Sequence, residues 1–478
     1  MRRLQQFLWP VALLLTGFTT VRGAPVVEAE AVAVANVWYC MELNSGHIVF
    51  DSAERAERLR LLPDHAVSYQ VSADTVLDYR PQGRTILAYI VKYQPHGYVV
   101  VPGDDRLNAV QVFGTESDFR WDHPELNFLR YYLSTVIPAN WRQMGNAVHP
   151  NWTYLRSKLS IPLGQVKFER DVEYPVLWNT ALWGQGQYYN DTVMAYTGSD
   201  PRVPTGCTAT AMAIKMRFHS WPAPNGSGNH SYDDSCDGVL YHHTFNYGSW
   251  APNWANMPVA SLTNHNAEVA TLMYACGVAV DMDYEPNWSG AWSTASSMNG
   301  YFRYKGTTDR AIYHDIPAKT SILGRLPVVA SSESHTVVLD GFREPTMPYF
   351  HVNCGWNGGS NGWYDLDSLP AGDPIAKSNP YCQPYNWFYV DSGYSGTEDG
   401  NILTPYNTLS EGQSGVPVNG WLLVKEGTYT GSGNVPITFA GAKTIVSYNA
   451  GTANIGHKLT LTRRGRIDVV GNGQLKVH

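Results

Sequence analysis

The chain has 478 residues, of which 44% are hydrophobic and 16% are charged, and its formal net charge is −7. This composition supplies enough apolar side chains for about three domains and excludes wholesale disorder. The negative charge, without any basic block, argues against nucleic-acid binding, which needs clustered Lys and Arg side chains to contact the phosphates.

The first residues have the pattern of an export signal. Arg2 and Arg3 precede an apolar run over 7–18 that is too short to span a bilayer, and Val21-Arg22-Gly23 precedes a suitable cleavage point. This short length disfavours the alternative, a membrane anchor, and no later stretch is apolar enough to span a membrane. We therefore predict a bacterial-type signal peptide over 1–23 and a secreted protein, extracellular or on the cell surface.

A small unit follows the signal, over 24–158. Its apolar runs at 85–93, 98–101 and 107–113 are separated by turn residues and predict a meander of strands. The segment 154–173, rich in Lys and Arg, predicts an exposed connector of the kind that processing proteases cut. No cluster of residues in this unit suggests catalysis.

Six cysteines occur, and their spacing forms no CxxC metal pattern, so the sequence predicts no metal and no cofactor. Cys207 differs from the other five because Pro204 and Gly206 break the structure before it, Thr205 is a suitable cap, and good helix formers follow over 208–218. At a helix N-terminus, free N–H groups and the helix dipole stabilise a thiolate and an oxyanion. The alternative is an ordinary buried cysteine at the start of a helix.

A hairpin further along the chain supplies a partner for this cysteine. A strand is predicted from His335 to Gly341, a turn over 343–348 and a second strand over 349–356. The midpoint of His335 and Asn353 is 344, inside the turn, so we expect the two side chains on the same face, beside each other or one register step apart. An amide there can hold the imidazole in the correct tautomer, which completes a Cys-His-Asn arrangement.

Two tryptophans stand between these elements. Trp288 and Trp292 lie among Ser and Gly residues, a setting that favours the wall of a substrate cleft.

The composition changes at about residue 387. From 387 to 478 the chain is rich in Gly, Thr, Ser and Asn, with short β-type runs at nearly regular intervals. This pattern favours either a short parallel β-helix or a compact sandwich. The opening of this region resembles the first coil of right-handed β-helix proteins.

Five segments in their order along the chain resemble the streptopain family of bacterial cysteine peptidases, which belongs to the papain-like clan. They are LWGQGQYYN (182–190), TGCTATAMAIKMRFHSWPA (205–223), CGVAVDMDYEP (276–286), SHTVVLDG (334–341) and FHVNCGWNGGSNGWYDLDSL (350–369). GYVVVPGDDR (97–106) also resembles the inhibitory prodomain of that family.

The resemblance implies an α+β fold in three parts. A small α+β prodomain (24–158) would precede a papain-like catalytic domain (159–386), in which a helical part carries the Cys and an antiparallel sheet carries the His. The all-β, β-helix-like domain (387–478) would follow.

The resemblance also implies a role for each site residue. Cys207 would be the nucleophile, His335 the general base and acid, and Asn353 the orienting amide. Gln185 would donate its side-chain amide to the oxyanion hole, and Trp356 would shield the His335–Asn353 contact from water. The implied partners are protein or peptide substrates and the chain's own prodomain as inhibitor. The C-terminal domain is a candidate for binding a surface glycan or protein.

The chain departs from the family pattern at two positions, where Ser334 replaces a Gly and Cys354 replaces a Trp. These departures keep open a second hypothesis, a surface-binding protein whose peptidase domain has lost activity. A third hypothesis retains the Cys-His pair but assigns it to an amidase or a transamidase.

Overall fold

The computed structural model describes most of the chain between Ala24 and Val477. The described residues are 24–45, 54, 56–59, 67–72, 86–117, 147–168, 177, 180–193, 202–236, 238–291, 294–306, 315–332, 335–343, 349–365, 377–434, 437–439, 444–447, 452–456, 459–461, 466–469 and 474–477. The predicted signal peptide, Trp292 and Ser334 lie outside the described residues.

Helices and strands alternate over most of this length, which confirms the α+β fold class. The helices are α1 Glu28–Ser45, α2 Pro150–Lys158, α3 Cys207–His219, α4 Ala267–Ala279, α5 Ala295–Tyr301, α6 Asp315–Leu323 and α7 Leu409–Gly415. The strands are β1 Val67–Ser72, β2 Ile86–Lys92, β3 Tyr98–Pro102, β4 Val112–Gly114, β5 Asn229–Cys236, β6 Val239–Asn246, β7 Asp283–Glu285, β8 Trp288–Gly290, β9 Tyr304–Lys305, β10 Val328–Ser331, β11 Thr336–Arg343, β12 Tyr349–Asn353, β13 Gly362–Asp365, β14 Lys377–Ser378, β15 Gln383–Pro384, β16 Trp387–Val390, β17 Trp421–Val424, β18 Gly427–Tyr429, β19 Ile437–Phe439, β20 Thr444–Ser447, β21 Thr452–Ile455, β22 Leu459–Leu461, β23 Arg466–Val469 and β24 Gln474–Val477.

A nine-stranded antiparallel sheet runs through the N-terminal and central parts of the chain, in the order β1-β2-β3-β4-β13-β12-β11-β10-β14. The N-terminal meander therefore does not stand apart, because β4 pairs with β13 and places Phe113 opposite Trp363. Backbone hydrogen bonds and a shared apolar core join the two parts into one layer.

A buried ion pair strengthens this junction. Arg343, at the end of β11, contacts the carboxylate of Glu42 in α1, and both side chains are less than 5% exposed. The guanidinium also lies over the rings of Trp38, Phe113 and Phe168, at 5.3, 5.3 and 4.8 Å from their centroids. A charge that is removed from water needs such compensation, so the N-terminal unit supplies most of the groups that compensate the buried guanidinium of Arg343.

The predicted connector begins inside a packed helix. Helix α2 buries Trp152, and Arg156 is bound by Glu30 at 2.8 Å and by Asp105 at 3.1 Å. Arg156 therefore docks α2 on the N-terminal unit, which corrects the expectation of an exposed segment at this end of 154–173. Its charge is paired with acidic side chains that lie far away in sequence, which local composition does not reveal.

Helices α3 and α4 pack together against Val329 of β10 and Val338 of β11. Ala209, Met212 and Met216 of α3 are fully buried against Met273 and Cys276 of α4. This helical part places the first residue of α3 next to the start of β11, where α3 and β11 are in contact.

The C-terminal region consists of parallel strand stacks. Strand β16 pairs with β17, β17 with β20, and β20 with β23, all in parallel, while β18-β21-β24 and β19-β22 form further parallel stacks. Leu422, Val424, Tyr429, Ile445 and Ile455 form its core. A β-helix requires parallel pairing of this kind, although closure of its coils stays a prediction. Strand β16 belongs to this stack rather than to the large sheet.

Within the described residues, no helix is long and apolar enough to cross a membrane.

Candidate active site

The nucleophile candidate lies at the first residue of a helix. Gly206 has φ 85°, which a glycine adopts without strain, and α3 begins at Cys207. The Thr205 hydroxyl bonds the hydroxyl of Thr210 at 3.0 Å and does not cap the helix, contrary to the expectation from sequence. No side chain among the described residues caps α3, so no cap competes with a ligand for its first N–H groups.

Cys207 meets His335, although 128 residues separate them in the chain. Burial raises the pKa of the Cys207 thiol, but the charge of His335, its hydrogen bond to the sulfur and hydrogen bonds from Thr336 outweigh burial and lower the pKa to about 7. By contrast, burial raises the pKa of Cys40 and of Cys354 to about 12. Cys207 therefore has the electrostatic surroundings of a reactive thiolate.

The imidazole of His335 is held by a hydrogen bond to a backbone carbonyl and by stacking against an indole ring. His335 is 4% exposed, and its Nε2 lies 2.9 Å from the carbonyl oxygen of Cys354. A carbonyl oxygen only accepts, so Nε2 carries a proton and donates it, which leaves Nδ1 for Cys207. The indole of Trp356 stacks on the imidazole, with centroids 4.8 Å apart and planes 14° apart.

Asn353 does not lie beside His335, which corrects the register expected from the sequence. A bulge interrupts the β11–β12 pairing between Leu339 and Gly341, and Asn353 pairs with Val338. His335 stands three positions before Val338, just ahead of β11, so His335 and Asn353 are not cross-strand neighbours.

Asn353 still reaches the imidazole through one peptide bond. Its Oδ1 accepts from the N–H of Gly355 at 3.1 Å, and the carbonyl of that same peptide group, from Cys354, is the acceptor of His335. Its Nδ2 donates to the carbonyl of Ala181 at 3.0 Å. A hydrogen bond at one end of a peptide polarises the other end, so this peptide is the link through which the predicted orienting role of Asn353 would act.

The Gln185 side chain has an unused donor. Gln185 is 5% exposed, and its Nε2 is buried with no hydrogen-bond partner among the described residues. The backbone carbonyl of Gln185 accepts a hydrogen bond from the N–H of Thr205 at 3.0 Å, which places Gln185 beside the segment that leads into Cys207. A buried donor without a partner is costly, and an oxyanion would satisfy it.

Trp288 lies at the edge of the same region. The β7–β8 hairpin touches the nucleophile segment through Ser289 Oγ, which donates to the carbonyl of Pro204 at 2.8 Å. The carbonyl of Ala291 accepts from Thr208 Oγ1 at 2.8 Å. Trp288 is 55% exposed on this hairpin, and its place in the wall of a substrate cleft stays a prediction.

Sequence reasoning missed the Cys354 carbonyl and Thr336. Both act wholly or partly through backbone atoms, which every residue possesses, so residue type carries no signal for them. Among the described residues, no group of three or more His, Cys, Asp or Glu side chains could hold a metal ion.

Comparison with known proteins agrees with this geometry. A family model described as the Peptidase C10 family matches residues 183–364. These residues form a cysteine peptidase domain of the Peptidase C10 family. The domain is that of a streptopain-like, cysteine-type hydrolase.

Two relatives show how far the similarity extends. The thiol protease/hemagglutinin PrtT of Porphyromonas gingivalis is 31% identical over 209 residues, which cover 40% of this chain and 23% of PrtT. The chain thus spans less than a quarter of PrtT. Streptopain of Streptococcus pyogenes is 24% identical over 313 residues, which cover 59% of this chain and 74% of streptopain.

Two solved structures from Prevotella intermedia are also similar. A prointerpain A fragment matches with a TM-score of 0.46 and 24% identity, over 66% of this chain and 97% of that one. Active interpain A cysteine protease matches with a TM-score of 0.36 and 30% identity, over 44% of this chain and 93% of that one.

Proposed function

We propose that this protein is a secreted cysteine endopeptidase, made as a zymogen, that hydrolyses peptide bonds through a thioester on Cys207. The contact between Cys207 and His335, with the thiol pKa lowered to about 7, carries the proposal. The Peptidase C10 domain supports protein substrates. The export pattern of residues 1–23 supports secretion.

The reaction follows from the arrangement of the site. Nδ1 of His335 takes the proton of Cys207, and the thiolate attacks the carbonyl carbon of a peptide bond. The oxyanion accepts hydrogen bonds from the Cys207 N–H and from Gln185 Nε2. Nδ1 then protonates the leaving amine, the C–N bond breaks and a thioester remains. Water, deprotonated by His335, attacks the thioester, releases the acid and restores the thiol.

The N-terminal unit supports the zymogen proposal by its position. It walls a cavity of about 940 Å³ with Tyr93–His96 and Gly114–Ser117, opposite Leu182 and Asn357–Gly359. Leu182 lies three residues before Gln185 in the chain, while Gln185, Cys207 and His335 are not among the residues that line this cavity. An inhibitory unit can act either by covering the cleft or by displacing the catalytic histidine. With the unit in place His335 contacts Cys207, so we propose restricted access.

The hypothesis of an inactive homologue loses its argument from Cys354. The thiol of Cys354 points to Ser360 and Tyr364, at 3.4 Å from the carbonyl oxygen and 3.8 Å from the hydroxyl, while its carbonyl holds His335. Trp356 supplies an indole on the imidazole. No contact in the described residues favours an amidase or a transamidase.

The oxyanion proposal has a direct test. Gln185→Ala should lower kcat for casein-derived peptides by about a hundredfold or more, because one oxyanion donor is lost. Gln383→Ala is the matched control, since Gln383 is equally buried but its Nε2 already bonds the carbonyl of Trp387 at 2.9 Å. Unchanged kcat in Gln185→Ala would remove Gln185 from the site.

The zymogen proposal is tested with probes of two sizes. Iodoacetamide should alkylate Cys207 in the full-length protein, because the pair with His335 is assembled, while casein should be cleaved only after processing. Casein cleavage by the full-length protein at the rate of the processed protein would contradict the proposal.

We further propose that the C-terminal parallel stack binds a surface glycan or protein. The family match ends at residue 364, before this region begins, so the stack lies outside the peptidase domain. Pull-down on immobilised glycans with the full chain, with and without residues 391–478, tests this role.

A further inference from the structure

The turn that follows β12 holds the carbonyl on which His335 depends. Residue 354 is gripped on both sides: its carbonyl contacts His335 Nε2 at 2.9 Å, and its N–H donates to Asn361 Oδ1 at 2.9 Å. Cys354 is 2% and Asn361 7% exposed, so water does not replace this bond readily. The direction of the Cys354 carbonyl is therefore coupled to the position of the Asn361 side chain.

The backbone beside Asn361 is itself held by several donors. Ser360 is fully buried with φ 59°, a left-handed conformation that a serine adopts only with support. Its carbonyl accepts from the hydroxyl of Tyr364 at 2.9 Å and from that of Tyr98 at 3.0 Å. The Ser117 hydroxyl donates to the carbonyl of Asn361.

Two of these donors come from the N-terminal unit. Tyr98 lies on β3 and is fully buried, and Ser117 follows β4. Tyr98 stands 262 residues before Ser360 in the chain, so only the continuous sheet brings its hydroxyl to this turn.

We propose that Asn361 is a positioning residue for His335, acting through residue 354, and that Tyr98 of the N-terminal unit braces it. This inference rests on the proposed function, because it assumes that the Cys207–His335 pair is the working pair. It goes beyond that function by naming the turn that orients the imidazole and by assigning the N-terminal unit a supporting role at this turn in the unprocessed chain, a support that processing removes.

The thiol and the two phenols at this turn do not change their protonation near neutral pH, so they do not disturb the titration of Cys207. Burial raises the pKa of the Cys354 thiol to about 12, with Asp340 adding to the rise, and burial also raises the pKa of Tyr98 and of Tyr364. These groups stay protonated, so a change in the titration of Cys207 near pH 7 reports on its pairing with His335.

The test is the rate of alkylation of Cys207 by iodoacetamide as a function of pH, in the full-length protein, with the modified peptide identified by mass. Asn361→Leu, similar in size but without an acceptor, should lower the rate at pH 6 about fivefold and move the midpoint upward. Asn361→Asp keeps an acceptor oxygen and should restore most of the rate.

Tyr98→Phe should lower the rate at pH 6 about threefold. Tyr89→Phe is the matched control, because this buried tyrosine of the same unit donates to Val26 at 2.8 Å, within the N-terminal unit, and should leave the profile unchanged.

The outcomes separate the two proposals. A wild-type profile without an inflection near pH 7 overturns the proposed function itself. A normal wild-type profile that Asn361→Leu and Tyr98→Phe both leave in place overturns the positioning role alone. If Asn361→Leu does not fold, Tyr98→Phe is the remaining test. An unchanged pH profile in Tyr98→Phe would refute the support of the turn by Tyr98.

Discussion

Replacement of His335 by alanine tests the electrostatic basis of the site. With the thiol pKa at about 7, about half of Cys207 is ionised at pH 7, and the reactive fraction grows as pH rises through that value. Without the imidazole, burial is the largest remaining influence and keeps the pKa at or above its ordinary 9.0, so about 1% is ionised at pH 7.

Two effects of this change oppose each other. The ionised fraction falls about fiftyfold at pH 7, but a thiolate two pKa units more basic is about eightfold more nucleophilic. The net loss in alkylation rate is therefore only about sixfold at pH 7, and it grows to about elevenfold at pH 6. Above about pH 8 the variant becomes the faster of the two, because the ratio of the two ionised fractions then falls below the eightfold gain in nucleophilicity.

The assay measures the rate of Cys207 alkylation by limiting iodoacetamide, in reactions quenched at fixed times, at about pH 5.5 to 9.5. His265→Ala, which removes an exposed histidine paired with Asp191, serves as the control and should follow the wild type. Wild-type and His335→Ala profiles that coincide below pH 7 would refute the argument, since the imidazole would then not stabilise the thiolate.

Three further predictions concern the fold around the site. Glu42→Gln removes the carboxylate that faces the buried Arg343 charge and should lower the free energy of unfolding in urea by about 3–5 kcal/mol. Replacement of the partly exposed Lys425, which pairs with Asp391, should cost at most about 1 kcal/mol, and equal effects of the two changes would contradict a stabilising buried ion pair. Gly206→Ala should destabilise by about 1–2 kcal/mol, since its φ is 85° and a Cβ would lie 3.1 Å from a backbone oxygen; an unchanged melting temperature would count against strain there. Trp356→Ala should lower kcat more than it raises KM, because it frees the imidazole on which the indole stacks; a change in KM alone would assign the indole to substrate binding.

Local patterns in the sequence were sufficient for elements that depend on near neighbours. The helix after Cys207 was predicted over 208–218 and spans Cys207–His219, because helix formers and flanking breakers act within a few residues. The two strands on either side of the 343–348 turn were likewise predicted close to their observed bounds. The family match confirms the cysteine peptidase domain that the ordered motifs indicated.

Exact pairing was less predictable. The sequence placed the centre of the hairpin at 344, but Arg343 faces Tyr349, so the pairing centres on 346 and Asn353 pairs with Val338 instead of lying beside His335. The bulge after Leu339 changes this register by only one residue, and Gly341 beside it is a residue type that often marks a bulge. The displaced centre of the hairpin has no such mark in the residues of β11 or β12.

What the amino-acid sequence determined by itself was the chemistry: a cysteine at a helix start, a histidine at a strand start, and turns and apolar runs to form them. Only the tertiary structure decided that β4 joins β13, that Glu42 receives Arg343 and that Tyr98 reaches Ser360. Contacts between residues some 250 to 300 positions apart arise from the cooperative packing of one sheet and its core, and no local pattern records them.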